Sequence, residues 1–229
     1  MTDEPIITAY WAGAAYAAEA ARLAASLHRL GVPAEIEELH DMGGWLANTH
    51  LRPQFLSGLR TLHRGRALLS LDVDCVCHAD PRPHVMGLPC DVGVHFLRET
   101  EPLAGTLLVM PTEAAGRFLQ EWRHVNQFRP DRPDRVNFRS ALEGTEGLRV
   151  ARLPAEVCWI FDISAAVYGD GWVTPIVEHL QASREFSPQP SHADARRRRK
   201  KRIAVIEAAP ACLPQVGRNF SNAADGRGL

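Results

Sequence analysis

Residues 67–74 read Ala-Leu-Leu-Ser-Leu-Asp-Val-Asp, a short, mainly apolar run that ends in two carboxylates one residue apart. A run of this length, preceded by Arg64-Gly65, predicts a buried strand. In extended chain, residues two apart point the same way, so Asp72 and Asp74 can approach one hard cation together. Upstream, Ile6, Ile7 and Ala9 form a second apolar run ahead of Gly13. Tyr16, Ala20, Leu23, Leu27 and Leu30 then recur at helical spacing, and Gly31 stands where a helix C-cap belongs. Residues 34–39 (AEIEEL) alternate like a strand near a sheet edge, and Phe55, Leu59 and Leu62 share one face of a helix over 51–63. The order βαβαβ predicts an α/β fold with a mainly parallel sheet flanked by helices. In such sheets ligands sit at the carboxyl ends of strands, where Asp72 and Asp74 stand. Further strands are expected over 91–96, 106–110, 148–153 and 176–179, and helices over 113–128 and 135–142, giving a mixed sheet.

The chain has 229 residues with 26 Lys+Arg against 27 Asp+Glu and is 45% apolar. This excludes fibrous and fully disordered classes. Seven of the cations lie in Arg196 to Arg202 (RRRRKKR), which leaves an acidic body. Residues 1–186 read as one Rossmann-like domain, and 187–229, rich in Pro, Ser and Arg, as a basic mobile tail on which Ile203 to Ile206 are candidates for docking. The basic run suits peripheral contact with an anionic membrane surface. With no aromatics interleaved, it does not suit nucleic acid. No apolar run reaches membrane-spanning length, and MTDEPIITAY lacks the pattern of a leader, so a cytosolic protein is expected, at most peripheral to the inner face of the membrane. Five cysteines are expected as reduced thiols.

The sequence resembles the glycosyltransferases of the GT-A fold, the nucleotide-diphospho-sugar transferases, over Ile6 to Phe186. The residues that carry the likeness are Ile7-Thr8-Ala9-Tyr10, Gly44 to Thr49 (GWLANT), Arg52 to Leu56 (RPQFL), Leu69 to Asp74 (LSLDVD), Gly105-Thr106-Leu107 and Ile176 to Arg184 (IVEHLQASR). The resemblance implies transfer of a sugar from a nucleotide-diphosphate donor, UDP-linked before others, to a glycan, lipid or protein acceptor. It implies Mn²⁺ or Mg²⁺ held by Asp72 and Asp74, with His179 as a further ligand, and Thr8 and Tyr10 beside the base and ribose. Arg52 and Arg184 are candidates for the diphosphate, because guanidinium presents a fixed fork of donors. Similar enzymes often carry Asp-Gln where this chain has Asp134-Arg135. Asp134 keeps the acidic role, and Asp91 is a second candidate sugar-facing carboxylate. A member that binds donor without turnover satisfies the same residues.

Other readings compete. Leu71 to Val76 (LDVDCV) also fits a haloacid-dehalogenase-like phosphatase, with Asp72 as nucleophile and Asp74 as general acid. That chemistry usually needs a core lysine, and the two lysines, Lys200 and Lys201, both lie in the basic run. Cys75, Cys77, His78, His84, Cys90 and His95 crowd together, but their spacing does not match a zinc knuckle. Among Trp11, Trp45, Trp122, Trp159 and Trp172, a sugar-stacking platform is a further option beside a role in the core.

Overall fold

The computed structural model describes residues 4–169, 173–186 and 192–208. Its opening unit is strand β1 (Ile6–Ala12), helix α1 (Ala17–Arg29), strand β2 (Ala34–Leu39), helices α2 (Trp45–Thr49) and α3 (Arg52–Leu62), and strand β3 (Leu68–Leu71). This is the expected βαβαβ order. Gly31, at φ 66°, takes the left-handed conformation that ends α1. The chain continues through β4 (Cys75–Cys77), β5 (Val92–Leu97), β6 (Glu101–Val109), α4 (Glu113–Phe128), α5 (Asp134–Gly144), β7 (Val150–Arg152), β8 (Trp159–Ile160), α6 (Ser164–Tyr168), β9 (Val177–His179), α7 (Ser183–Phe186) and α8 (Ala193–Ala208). Thr112 starts α4 by accepting a hydrogen bond from the Ala115 amide at 3.2 Å, an N-cap.

Six strands form one sheet in the order β2-β1-β3-β6-β5-β7, and β4, β9 and β8 form a smaller one. In the large sheet β6 runs against its two neighbours, while the pairs β1/β2, β1/β3 and β5/β7 are parallel. The architecture is therefore the mixed, largely parallel α/β sheet that the sequence predicts. Apolar residues cover both of its faces. Leu23 and Leu27 of α1 pack with Ile7, Leu69 and Leu71 on one side. Phe55 and Leu56 of α3, Phe118 and Trp122 of α4, and Phe138 of α5 pack with Leu68 and Leu107 on the other. These two layers fix β1 and β3 side by side and bring their carboxyl ends to a common edge. The smaller sheet folds over that edge: the Asp72 amide donates to the Gly105 carbonyl, and the chain re-enters as β4 three residues later.

The basic run differs from the mobile tail expected of it. Residues 193–208 form α8, and Arg199 is buried with its guanidinium 2.6 Å from Glu19 and Nε donating to the Leu180 carbonyl at 3.0 Å. Arg202 grips Glu178 with two nitrogens, at 2.6 and 2.7 Å. Arg197, Arg198 and Lys200 pair with Asp194, Asp162 and Glu185. The acidic body draws the cations in, so α8 is fastened by charge, and Val205 is left exposed. Of the tail assigned to 187–229, residues 187–191 and 209–229 lie outside the described residues, as does Trp172. Among the described residues no helix is long and apolar enough to cross a membrane.

Candidate functional site

A cleft of about 480 Å³ opens where β1 and β3 end, within the size range of small-molecule sites. Tyr10, Arg52, Asp72, Asp74, Asp134 and His179 all line it. Six of the nine residues expected at the site therefore share one cavity. β3 delivers Asp72 and the turn after it delivers Asp74, while β9, antiparallel to β4, sets His179 directly opposite Cys75.

Arg52 is buried at the start of α3 and donates to the Asp72 carboxylate and to the Ala104 carbonyl. Burial alone would favour the neutral acid at Asp72, but the guanidinium outweighs it and holds this carboxyl below the usual range. The other Asp72 oxygen, Oδ2, faces His179 Nδ1 at 3.7 Å. Asp74 accepts from the Ala182 amide at 2.5 Å, a contact made possible by Gln181, whose φ of 57° turns the backbone back toward the carboxylate. A non-glycine residue in this region is uncommon and marks a position held by its surroundings. Burial and the Asp72 charge push the Asp74 carboxyl up to about 6.

His179 is 1% exposed, and its tautomer follows from Thr106. The Thr106 hydroxyl donates its one proton to the Val157 carbonyl at 2.7 Å, so toward the ring it can only accept. Nε2, 2.9 Å from that oxygen, must carry a hydrogen. Nδ1 is left toward Asp72 and toward Cys75 Sγ at 3.2 Å. Burial opposes a cation here, but the neighbouring thiols and the Asp72 carboxylate outweigh it and raise the His179 pKa above the ordinary histidine value. A Cβ at Gly105 would lie 2.6 Å from His179 Cε1 and 2.8 Å from Asp72 Oδ2, so this approach of strand to ring requires glycine.

Asp134 begins α5 and accepts from Trp122 Nε1 at 3.2 Å. Burial is the main cause that pushes its carboxyl up to about 6, against the opposing pull of Arg52. Unfolded, the group titrates near 3.8, so the folded state holds its proton more tightly. That preference favours folding below about pH 4 and is lost as pH rises through about 6. Asp134→Asn, which keeps an oxygen for Trp122, should therefore raise stability at pH 8 by up to about 3 kcal/mol and change it little at pH 4. Urea unfolding at the two pH values checks this, and equal effects at both would contradict it. Tyr10 donates to the Asn48 and Thr49 carbonyls at 2.9 and 3.2 Å, which ties α2 to β1, and burial raises its phenol further above the usual range.

Three expected residues stand elsewhere. Asp91 precedes β5, which pairs antiparallel with β6 as β3 does, so its carboxylate sits at the opposite edge of the sheet, bound by Arg149 at 3.0 Å. Thr8 is buried in mid-strand and lines no part of the cleft. Arg184 pairs with buried Asp162 and is not a cleft residue. Arg52 does line the cleft, but its donors face Asp72 and Ala104. The cation with the freest reach there is Arg135, exposed and 3.7 Å from Glu101. Of the tryptophans considered as a sugar-stacking platform, Trp11 and the exposed Trp45 line the cleft, as do Tyr16 and Gln181, to which the sequence assigns no role there. Of the crowded Cys/His residues, Cys75 alone joins a group with metal-ligand spacing, together with Asp74 and His179. His78 bonds Glu178, and His95 bonds the Leu153 carbonyl and Tyr168.

No protein-family model matches the sequence, and no curated protein matches it. Solved structures do match in fold. A glycosyltransferase involved in glycosylation of the major capsid of PBCV-1 superposes with a TM-score of 0.59 at 12% identity, covering 86% of this chain and all of that one. The glycosyltransferase GlyE of Streptococcus pneumoniae TIGR4 gives 0.53 at 13% identity, over 77% of this chain and 55% of that one. The bifunctional glycosyltransferase WbbM gives 0.52 at 11% identity, over 86% and 52%. The chain thus spans the first relative whole and about half the length of the other two. It has the GT-A fold of these glycosyltransferases.

Proposed function

We propose that the protein is a metal-dependent glycosyltransferase that takes a sugar from a nucleotide-diphosphate donor, UDP-linked in the first instance. The observation that carries the reading is the meeting of Asp72, Asp74 and His179 at the carboxyl edge of β1 and β3, in a fold shared with glycosyltransferases. The donor set suits a dication: two crowded carboxylates, one of them pushed up to about 6 by burial and by its neighbour, beside a histidine ring that Thr106 holds with Nδ1 toward them. Asp72, Asp74 and His179 Nδ1 would hold it. When bound, such an ion supplies a Lewis acid that stabilises the departing diphosphate.

The chain's own groups do the rest. Arg135 lies within the cleft to take charge growing on the diphosphate, a role first assigned to Arg52 and Arg184. Arg52 orients Asp72. The Tyr10 ring, with its hydroxyl committed to α2, presents an aromatic face beside the base and ribose. Asp134, titrating near neutrality, is matched to a sugar hydroxyl with which it shares a proton. The phosphatase alternative is not favoured, since both lysines lie on α8. Contact of residues 196–202 with an anionic surface has limited support, because much of the charge there is already paired within the chain.

The test is a panel of UDP-, GDP- and ADP-sugars incubated with Mn²⁺, followed for release of the nucleoside diphosphate. Release from one nucleotide class, abolished by EDTA, supports the reading and names the donor. Metal-dependent binding without release would identify a non-catalytic member, and phosphate release from simple phosphomonoesters would overturn the proposal. The role given to Thr106 makes a separate prediction. Thr106→Val keeps the side-chain shape but orphans the His179 Nε2 hydrogen, and Mn²⁺ affinity should fall about 10–100-fold, with Thr106→Ser recovering most of it. Calorimetric titration checks this, and an unchanged affinity for the valine variant would contradict it.

A further inference from the structure

The cysteines at 75, 77, 90 and 158 are free, buried thiols, and the function proposed above uses none of them. Cys75 and Cys158 both adjoin His179, but among the described residues Cys75 alone shares a group of metal-ligand spacing with it. Cys75 pairs in register with His179 across antiparallel β4 and β9, so both side chains project from the same face. Its Sγ lies 3.2 Å from His179 Nδ1, and ligand atoms of Asp74, Cys75 and His179 all lie within 4.8 Å of one another. Ligand separations around a tetrahedral zinc are about 3.5 Å, from bonds of about 2.0–2.3 Å, so closure on one ion asks for movements of about 1 Å. Thr106 has already aimed the ring, since it engages Nε2 and leaves Nδ1 for an ion. The Ala182 amide restrains Asp74.

We propose that Asp74, Cys75 and His179 form a thiolate-bearing cation site that takes a borderline-soft dication of the zinc class. Binding exchanges the sulfur–hydrogen bond of Cys75 for a sulfur–metal bond and releases that proton to solvent, together with the Nδ1 proton of the His179 ring where it is charged. The inference rests on the reading that Asp74 and His179 hold a dication and extends it to which dication the site selects. Oxygen and imidazole donors alone suit manganese, whereas an added thiolate turns preference toward Zn²⁺ and Co²⁺. A competing account makes Cys75 a small apolar filler of the core cluster it borders.

Cobalt is the probe. Full-length protein titrated with Co²⁺ should develop the near-ultraviolet sulfur-to-cobalt charge-transfer band, and Zn²⁺ should displace it. Cys75→Ser should lose the band and bind Zn²⁺ about 10–100-fold more weakly, while Cys158→Ser should keep the band. Should Cys75→Ser fail to fold, wild-type protein still decides the matter: Zn²⁺ must protect Cys75, identified by peptide mass, from alkylation in partial denaturant. Co²⁺ binding without the band, a band lost in Cys158→Ser but kept in Cys75→Ser, or an unprotected Cys75 would overturn the proposal and leave the carboxylate–histidine site intact. Failure of Co²⁺, Zn²⁺ and Mn²⁺ alike to bind would overturn both.

Discussion

Arg52→Ala is expected to cost about 3–5 kcal/mol of folding stability, a large part of the 5–15 kcal/mol typical of a domain. Arg52 donates to Asp72 and to the Ala104 carbonyl, and its charge also lowers the pKa of Asp134. Without it, Asp134 has no cation against it and Asp72 keeps only His179, and the folded pKa of each moves up. A carboxyl whose folded pKa is raised favours folding below its unfolded value, and that contribution is lost as pH climbs through the folded one. The deficit should therefore be clearly smaller at pH 5 than at pH 8 in urea unfolding. Arg52→Lys should recover only part of the loss, since an ammonium cannot reproduce the fork that joins Asp72 to Ala104. A deficit below about 1 kcal/mol, or one larger at pH 5, would show that Arg52 does not compensate these acids.

The second large effect is functional. Asp74→Asn should lower Mn²⁺ affinity and nucleotide-sugar turnover by at least about 100-fold, because loss of an outer partner of a ligand alone costs about 10–100-fold. The same change should leave stability at pH 8 equal or higher. Burial and Asp72 already hold the Asp74 carboxyl up to about 6, so ionisation at that pH works against folding, and the amide removes that charge. Loss of binding without loss of stability separates a functional carboxylate from a structural one. It is read by calorimetry with Mn²⁺, a nucleotide-release assay and thermal unfolding on one preparation. Wild-type Mn²⁺ affinity in the variant, or a fall in stability that accounts for lost binding, would contradict the assignment.

Much of this was legible in the sequence, because apolar periodicity follows directly from which face of each element is buried. The βαβαβ order, the strand ending at Leu71 and the carboxylates after it follow from spacing alone. Strand direction does not. Asp91 looks equivalent to Asp72 as an acid beside a strand, but β5 runs parallel to β3, so the start of one lies at the far edge from the end of the other. Arg184 presents a free guanidinium in sequence, and only the folded chain brings Asp162 to it. Residues 193–208 carry no apolar stripe, so beyond the short run Ile203 to Ile206 nothing local signals a docked helix. The partners that hold it, Glu19 and Glu178, come from distant segments. Thr106 reads as an ordinary strand residue until Val157 takes its proton and His179 is seen to face its lone pair.

The most direct measurement of the central claim is anomalous diffraction from crystals of the full chain soaked with Mn²⁺ and the donor identified by the panel. The account predicts a manganese peak between Asp72, Asp74 and His179, with the diphosphate against it and the sugar toward Asp134. A nucleotide bound at another surface, with Asp72 still closed on Arg52 and no metal peak beside Asp74, would contradict it.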